Sequence, residues 1–115
     1  MLEQKLKKKH EFSDVFNSGK YFRLESLIIR YVKRENSSFN GKARFGIVVS
    51  KKVGNAVKRN LAKRRIRCLV RLSDFRKYNR DYVVIAKKNI LEKKYENLKL
   101  EFTKAFKKIE MLEDE

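Results

Sequence analysis

Lys51-Lys52-Val53-Gly54-Asn55-Ala56-Val57-Lys58-Arg59-Asn60-Leu61-Ala62-Lys63-Arg64-Arg65-Ile66-Arg67-Cys68-Leu69-Val70-Arg71 is dense in cations and contains no acid. Gly54 permits a tight backbone turn, and Asn55 has the side chain of an N-cap, so a helix is expected to begin here. Wound at 3.6 residues per turn, Asn60, Lys63, Arg64, Arg67 and Arg71 fall on one stripe. Val57, Leu61, Cys68, Leu69 and Leu72 fall mostly on the opposite side and are expected to face the core. From 56 to 72 the helix would be roughly 25 Å long. It would be anchored by an apolar face and would present a charged comb to a polyanion.

The rest of the composition points the same way. The chain has 115 residues, a formal net charge of +17 and 42% hydrophobic residues, enough for one folded domain, 1–115, with a heavily charged surface. Such an excess of positive charge opposes compaction unless an anion is bound. Phosphate suits best, because counterion release from nucleic acid favours Lys- and Arg-dense surfaces. Apolar residues are too dispersed for a membrane span. A secreted cationic peptide is disfavoured because no signal-peptide pattern is read and there is a single cysteine, so the expected location is the reducing cytoplasm. Cys68 is expected to pack in the core, and His10, the only histidine, makes no metal site.

Residues 1–10 read as a basic arm, frayed until an anion orders it. A short helix is expected from Glu11 to about Ser18, stopped by Gly19 at its C-terminal cap. Tyr21 to Leu24 is a weak strand, Leu27 to Val32 a strong one, and Arg34 to Lys42 a hairpin loop. Ala43 to Ser50 forms the strand that feeds the basic helix. After a polar connection from Asp74 to Asn79, Asp81 to Ala86 reads as a buried strand. A last amphipathic helix starts near Leu91 and carries Tyr95, Leu98, Phe102, Ala105, Phe106, Ile109 and Leu112 on one face. Its acidic end, Glu110 to Glu115, opposes the helix dipole and is expected to fray. The fold class is α+β, an α-β-β-β-α-β-α two-layer sandwich with helices on a small mixed sheet.

Val49-Ser50-Lys51-Lys52, then Arg59-Asn60, Lys63-Arg64 and Arg67, resemble the motif region of the bacterial ribonuclease P protein subunit. Glu11-Phe12, Phe16 and Gly19 look like that family's first helix, and Tyr82 to Ala86 like its fourth strand, so the resemblance covers most of the chain in order. It implies a fold like domain 2 of ribosomal protein S5, with a left-handed crossover through the basic helix. It also implies a ribonucleoprotein endonuclease that removes the 5′ leader from precursor tRNA. The chemistry would come from a catalytic RNA subunit with Mg²⁺ ions held mainly by RNA. The partners are then ribonuclease P RNA and precursor tRNA, with no membrane and no obligatory protein partner.

Two surfaces follow from the resemblance. The basic helix would bind RNA through Lys58, Arg59, Asn60, Lys63, Arg64, Arg67 and Arg71; arginine suits this because its planar fork pairs bidentately with phosphate. A leader cleft would be built from Phe12, Phe16, Ser50, Lys51 and Lys52, with either Arg30 or Tyr31 on the second strand, Tyr31 being favoured. Unpaired bases stack on aromatic rings with little sequence preference, as a variable leader demands. One position departs from the family pattern. Leu61 stands where the motif usually has Arg, and on the helical wheel it reads as a packing residue, with Arg65 on the flank as a compensating cation.

An autonomous nuclease is not expected. Its acids are scattered and it has one histidine, so neither a carboxylate metal cage nor a histidine acid–base pair is available. The alternative from a different class is a general nucleic-acid-binding protein, ribosomal or DNA-binding, with no processing role.

Overall fold

The computed structural model describes residues 4–5, 9–17, 20–33, 43–72 and 80–113. Its elements are β1 (Gln4–Lys5), α1 (Lys9–Asn17), β2 (Tyr21–Arg23), β3 (Leu27–Lys33), β4 (Arg44–Val49), a 3₁₀ turn (Lys51–Val53), α2 (Ala56–Leu72), β5 (Arg80–Ala86) and α3 (Tyr95–Glu113). The sheet order is β1-β4-β5-β3-β2. β2 and β5 flank β3 in antiparallel register, while β4 and β5 are parallel, so α2 is the crossover that parallel neighbours require.

The expected α+β order holds, with differences at the ends. Gln4 and Lys5, read as part of a frayed arm, form a two-residue parallel bridge to Arg44 and Phe45. His10 lies on α1 rather than in the arm. The last helix begins at Tyr95, not Leu91, because the chain first winds through i→i+3 turns, Lys87 O to Ile90 N at 3.1 Å and Asn89 O to Glu92 N at 3.0 Å. It continues through Glu113, and residues 114–115 of the acidic end lie outside the described residues. The Gly19 cap, the 34–42 loop and the 74–79 connection lie outside the described residues.

Strand alternation divides the sheet between two cores. Leu27, Ile29 and Tyr31 of β3, Phe45 of β4, and Tyr82, Val84 and Ala86 of β5 face α2 and α3. Leu98, Phe102, Ala105, Phe106 and Ile109 supply the α3 side of this core, in the predicted stripe. Tyr82 is its hub, 5.0 Å from the Phe45 ring and 5.2 Å from the Phe106 ring. Such aromatic pairs contribute about 0.5–1.5 kcal/mol each beyond area burial.

On the other sheet face, Val15 of α1 and Val83 of β5 form a smaller core with Phe12, Val32, Val48 and Ile85. A buried ion cluster ties α1 to it. Arg44 donates to Asp81 through Nε at 2.8 Å and Nη2 at 2.6 Å, and its Nη1 reaches Glu11 Oε2. The Asp81 hydrogen bond is the main reason that the Arg44 guanidinium is held above its ordinary pKa, against the opposing effect of burial.

α2 starts as the sequence predicts. Asn55 Oδ1 accepts from the Lys58 amide at 3.0 Å, an N-cap bond, and Gly54 adopts φ +146° in the turn before it. Its phase on the core is different. Ala62, Ile66, Leu69 and Val70 are the buried stripe, while Val57 is 76% exposed, Leu61 39% exposed and Cys68 exposed. The expected core face of Val57, Leu61 and Cys68 therefore turns to solvent. Only Leu69 of that set is placed in the core; the Leu72 side chain lies outside the described residues. No helix among the described residues is long and apolar enough to cross a membrane.

Candidate nucleic-acid interface

Each face of the sheet offers one candidate surface. With α2 seated on Ala62, Ile66, Leu69 and Val70, its outward side carries Lys58, Asn60, Lys63, Arg64 and Arg71, all exposed. Arg59 and Arg67 flank this comb and are half-buried. The Nε of each is shielded without a hydrogen-bond partner among the described residues. A shielded, unmade hydrogen bond is unfavourable, and a bound anion that draws the guanidinium outward would relieve it. Arg65, expected to compensate for Leu61, instead donates from Nη1 to the Lys93 carbonyl at 3.1 Å and pins α2 to the approach to α3.

The second surface is the part of the opposite sheet face that α1 leaves open. Period-2 alternation sends Arg30 to this side and Tyr31 to the other. Tyr31 is 6% exposed and packs with Phe22 and Tyr82 beneath α2 and α3, so it does not line the cleft. The expectation that favoured Tyr31 is corrected in favour of Arg30.

The Arg30 guanidinium lies 5.3 Å from the Phe16 ring centre and 5.3 Å from that of Tyr21. Phe16 is 38% exposed and Tyr21 47% exposed, so cation and rings form an accessible polar–aromatic ledge. Phe12, predicted beside Phe16, packs mainly into the small core with Val15.

Two residues from Arg30, Ile28 lies on the same face of β3 by strand alternation. At Ile28 the surface forms a depression whose lining mixes apolar Ile28 and Ile85 with Ser50, the cations Lys52, Lys87 and Lys88 and the acids Glu25 and Glu92. Ser50 and Lys52 both line this depression. Lys51 is exposed in the same turn but is not among the lining residues.

Sequence reasoning missed Tyr21, Lys87 and Lys88. A signal for Tyr21 existed: with Phe22 half-buried against the α2 side, alternation along β2 places Tyr21 and Arg23 on the α1 side. For the two lysines no local signal existed, since they follow a buried strand and enter the groove only because β5 lies between β4 and β3.

Among the described residues no group of three or more His, Cys, Asp or Glu side chains is gathered to hold a metal ion. The two surfaces present a long cationic comb on one side, and rings, a guanidinium and ammonium groups on the other.

A sequence model of the family described as Ribonuclease P matches residues 2–110. The ribonuclease P protein component of Bacillus cereus strain AH187 is 38% identical over 108 residues, covering 92% of this chain and 90% of that protein. That of Mycoplasma capricolum is 34% identical over 106 residues, covering 90% and 94%. Among solved structures, the Staphylococcus aureus RNase P protein superposes with a TM-score of 0.79 at 24% identity, over 92% of this chain and 94% of that one. The Thermotoga maritima RNase P protein superposes with a TM-score of 0.71 at 26% identity, over 86% and 91%.

Proposed function

We propose, from the premise that this chain belongs to the bacterial ribonuclease P protein family, that its two surfaces divide the binding of two RNAs. The chain is the protein component of the ribonucleoprotein endonuclease that processes the 5′ end of precursor tRNA. In our reading it acts as a single domain in the cytoplasm. The comb of α2, Lys58, Arg59, Asn60, Lys63, Arg64, Arg67 and Arg71, seats on ribonuclease P RNA. The groove from Arg30, Phe16 and Tyr21 to Ser50 and Lys52 holds the leader.

The observation that carries the groove assignment is Arg30 between two exposed rings at one end, with Lys52 and Lys87 at the other. Rings and guanidinium stack unpaired bases whatever their identity, and the ammonium groups neutralise phosphates along the same floor. The floor itself is apolar at Ile28 and Ile85, which suits base faces rather than a hydrated duplex edge.

Strand cleavage is assigned to the RNA subunit, with Mg²⁺ held mainly by RNA. The scattered carboxylates of the described residues do not fit a metal cage. The protein side chains bind, orient the leader and reduce repulsion between RNA phosphates.

A cleavage assay tests this at low Mg²⁺, comparing protein alone, a bacterial ribonuclease P RNA alone, and both. Cleavage at the mature 5′ end only when both are present is expected. Tight, salt-sensitive binding without stimulation would instead favour a general nucleic-acid-binding protein.

A further inference from the structure

We infer that Val57, Leu61 and Cys68 form an uncharged contact strip on α2, seated against sugar and base edges in a shallow RNA groove while the neighbouring cations take the phosphates. The inference rests on the reading that α2 seats on RNA and adds a second, non-ionic kind of contact to it. The buried stripe of α2 runs through Ala62, Ile66, Leu69 and Val70, so the opposite side is the outermost ridge of the helix. Val57 stands on that ridge, with Cys68 and Leu61 on its flank, all exposed. They span about 16 Å along the axis. Asn60, Arg64 and Arg71 border them on one side and Lys58 on the other, all exposed as well.

An occupant must therefore offer a negative rim and a neutral floor. The minor groove of A-form RNA is wide and shallow, shows riboses and base edges, and is bordered by phosphates. A second copy of this chain fits poorly, since it would bring two cationic combs face to face. A membrane surface fits poorly too, because the strip is one residue wide and cations border it on both sides. Leu61 belongs to this strip: where the motif usually has a cation, this chain trades one ionic contact for an apolar one. Ionic contacts release counterions and weaken with salt, whereas apolar contacts do not depend on that release.

The full-length protein, a bacterial ribonuclease P RNA and N-ethylmaleimide test the inference. Because Cys68 is the only cysteine and is exposed, its alkylation rate reports directly on whether the strip is covered. RNA binding is expected to suppress that alkylation. Val57→Thr/Leu61→Asn is expected to weaken binding roughly tenfold at every salt concentration, with the slope of log K against log salt unchanged. Leu61→Lys is expected to steepen that slope by about 0.7–0.9. Unchanged affinity in the double variant, or unprotected Cys68 in a complex that still binds with a steep salt slope, would overturn the strip and leave the comb in place. Salt-insensitive binding by the wild type would overturn the comb itself, and the strip with it.

Discussion

The Arg30 guanidinium lies 5.3 Å from the Phe16 ring centre and donates from Nη1 to the Phe16 carbonyl oxygen at 3.1 Å. One side chain of β3 thus holds both the ring and the backbone at the end of α1. The bond also gives an otherwise exposed carbonyl near a helix end a partner, and it fixes the spacing between α1 and the sheet.

Phe16→Ala is expected to weaken precursor tRNA binding by roughly 1–3 kcal/mol, the range of one stacked base, and mature tRNA binding far less. Because Phe16 is 38% exposed, the thermal midpoint should change little. Equal loss on both RNAs would place Phe16 outside the leader path. Val15→Ala is the control: Val15 is fully buried, so it should lower stability by about 2 kcal/mol instead.

If about six cations of the comb and groove engage phosphates, log K should fall against log salt with a slope on the order of −4 to −5. Arg64→Ala and Arg67→Ala should each make that slope shallower by about 0.7–0.9 without a large change in stability. A wild-type slope near −1 would remove the electrostatic account.

Arg44→Met leaves Asp81 and Glu11 without the cation that joins them, and loss of one partner in a buried ion cluster costs about 3–5 kcal/mol. Chemical denaturation should register that loss. Arg44→Lys should rescue only part of it, because an ammonium cannot reproduce the two-pronged bond to Asp81.

Gly54→Ala should destabilise the protein by more than about 1 kcal/mol, because φ +146° is strained for any residue with a Cβ. The added Cβ would also meet Lys58 Cδ at 2.6 Å. The Lys58 side chain can move aside, so the backbone term should dominate, and Lys58→Ala should not rescue Gly54→Ala in a melting experiment.

Stability should decline on the alkaline side. The hydrogen bond from Lys93 to Glu101 raises the Lys93 pKa, with Glu25 at 3.2 Å adding to it. Burial raises that of Tyr95. Each raised group contributes stability that is complete below its ordinary value, 10.5 for Lys93 and 10.0 for Tyr95, and that is lost as pH rises through the folded value. The thermal midpoint should therefore begin to fall above about pH 10, and Lys93→Met should weaken that dependence.

Much of this protein was legible in local pattern. The Asn55 cap, the apolar stripe of α3, and the strands at 27–33, 44–49 and 80–86 follow from residues close in sequence, as does a cationic comb on a helix. Backbone hydrogen bonding and side-chain periodicity act over a few residues, so they leave a readable signal.

Tertiary packing decided the rest. α2 carries two apolar arcs, Val57, Leu61 and Cys68 against Ala62, Ile66, Leu69 and Val70, and only the sheet determines which is buried. β3 is apolar on both faces, so the choice between Arg30 and Tyr31 depends on which side α1 covers. The meeting of Arg44, Asp81 and Glu11, and of Phe16, Arg30 and Tyr21, joins residues from separate elements. Such contacts form only when the sheet order brings their strands and helices together, and no short-range pattern in the chain encodes that order.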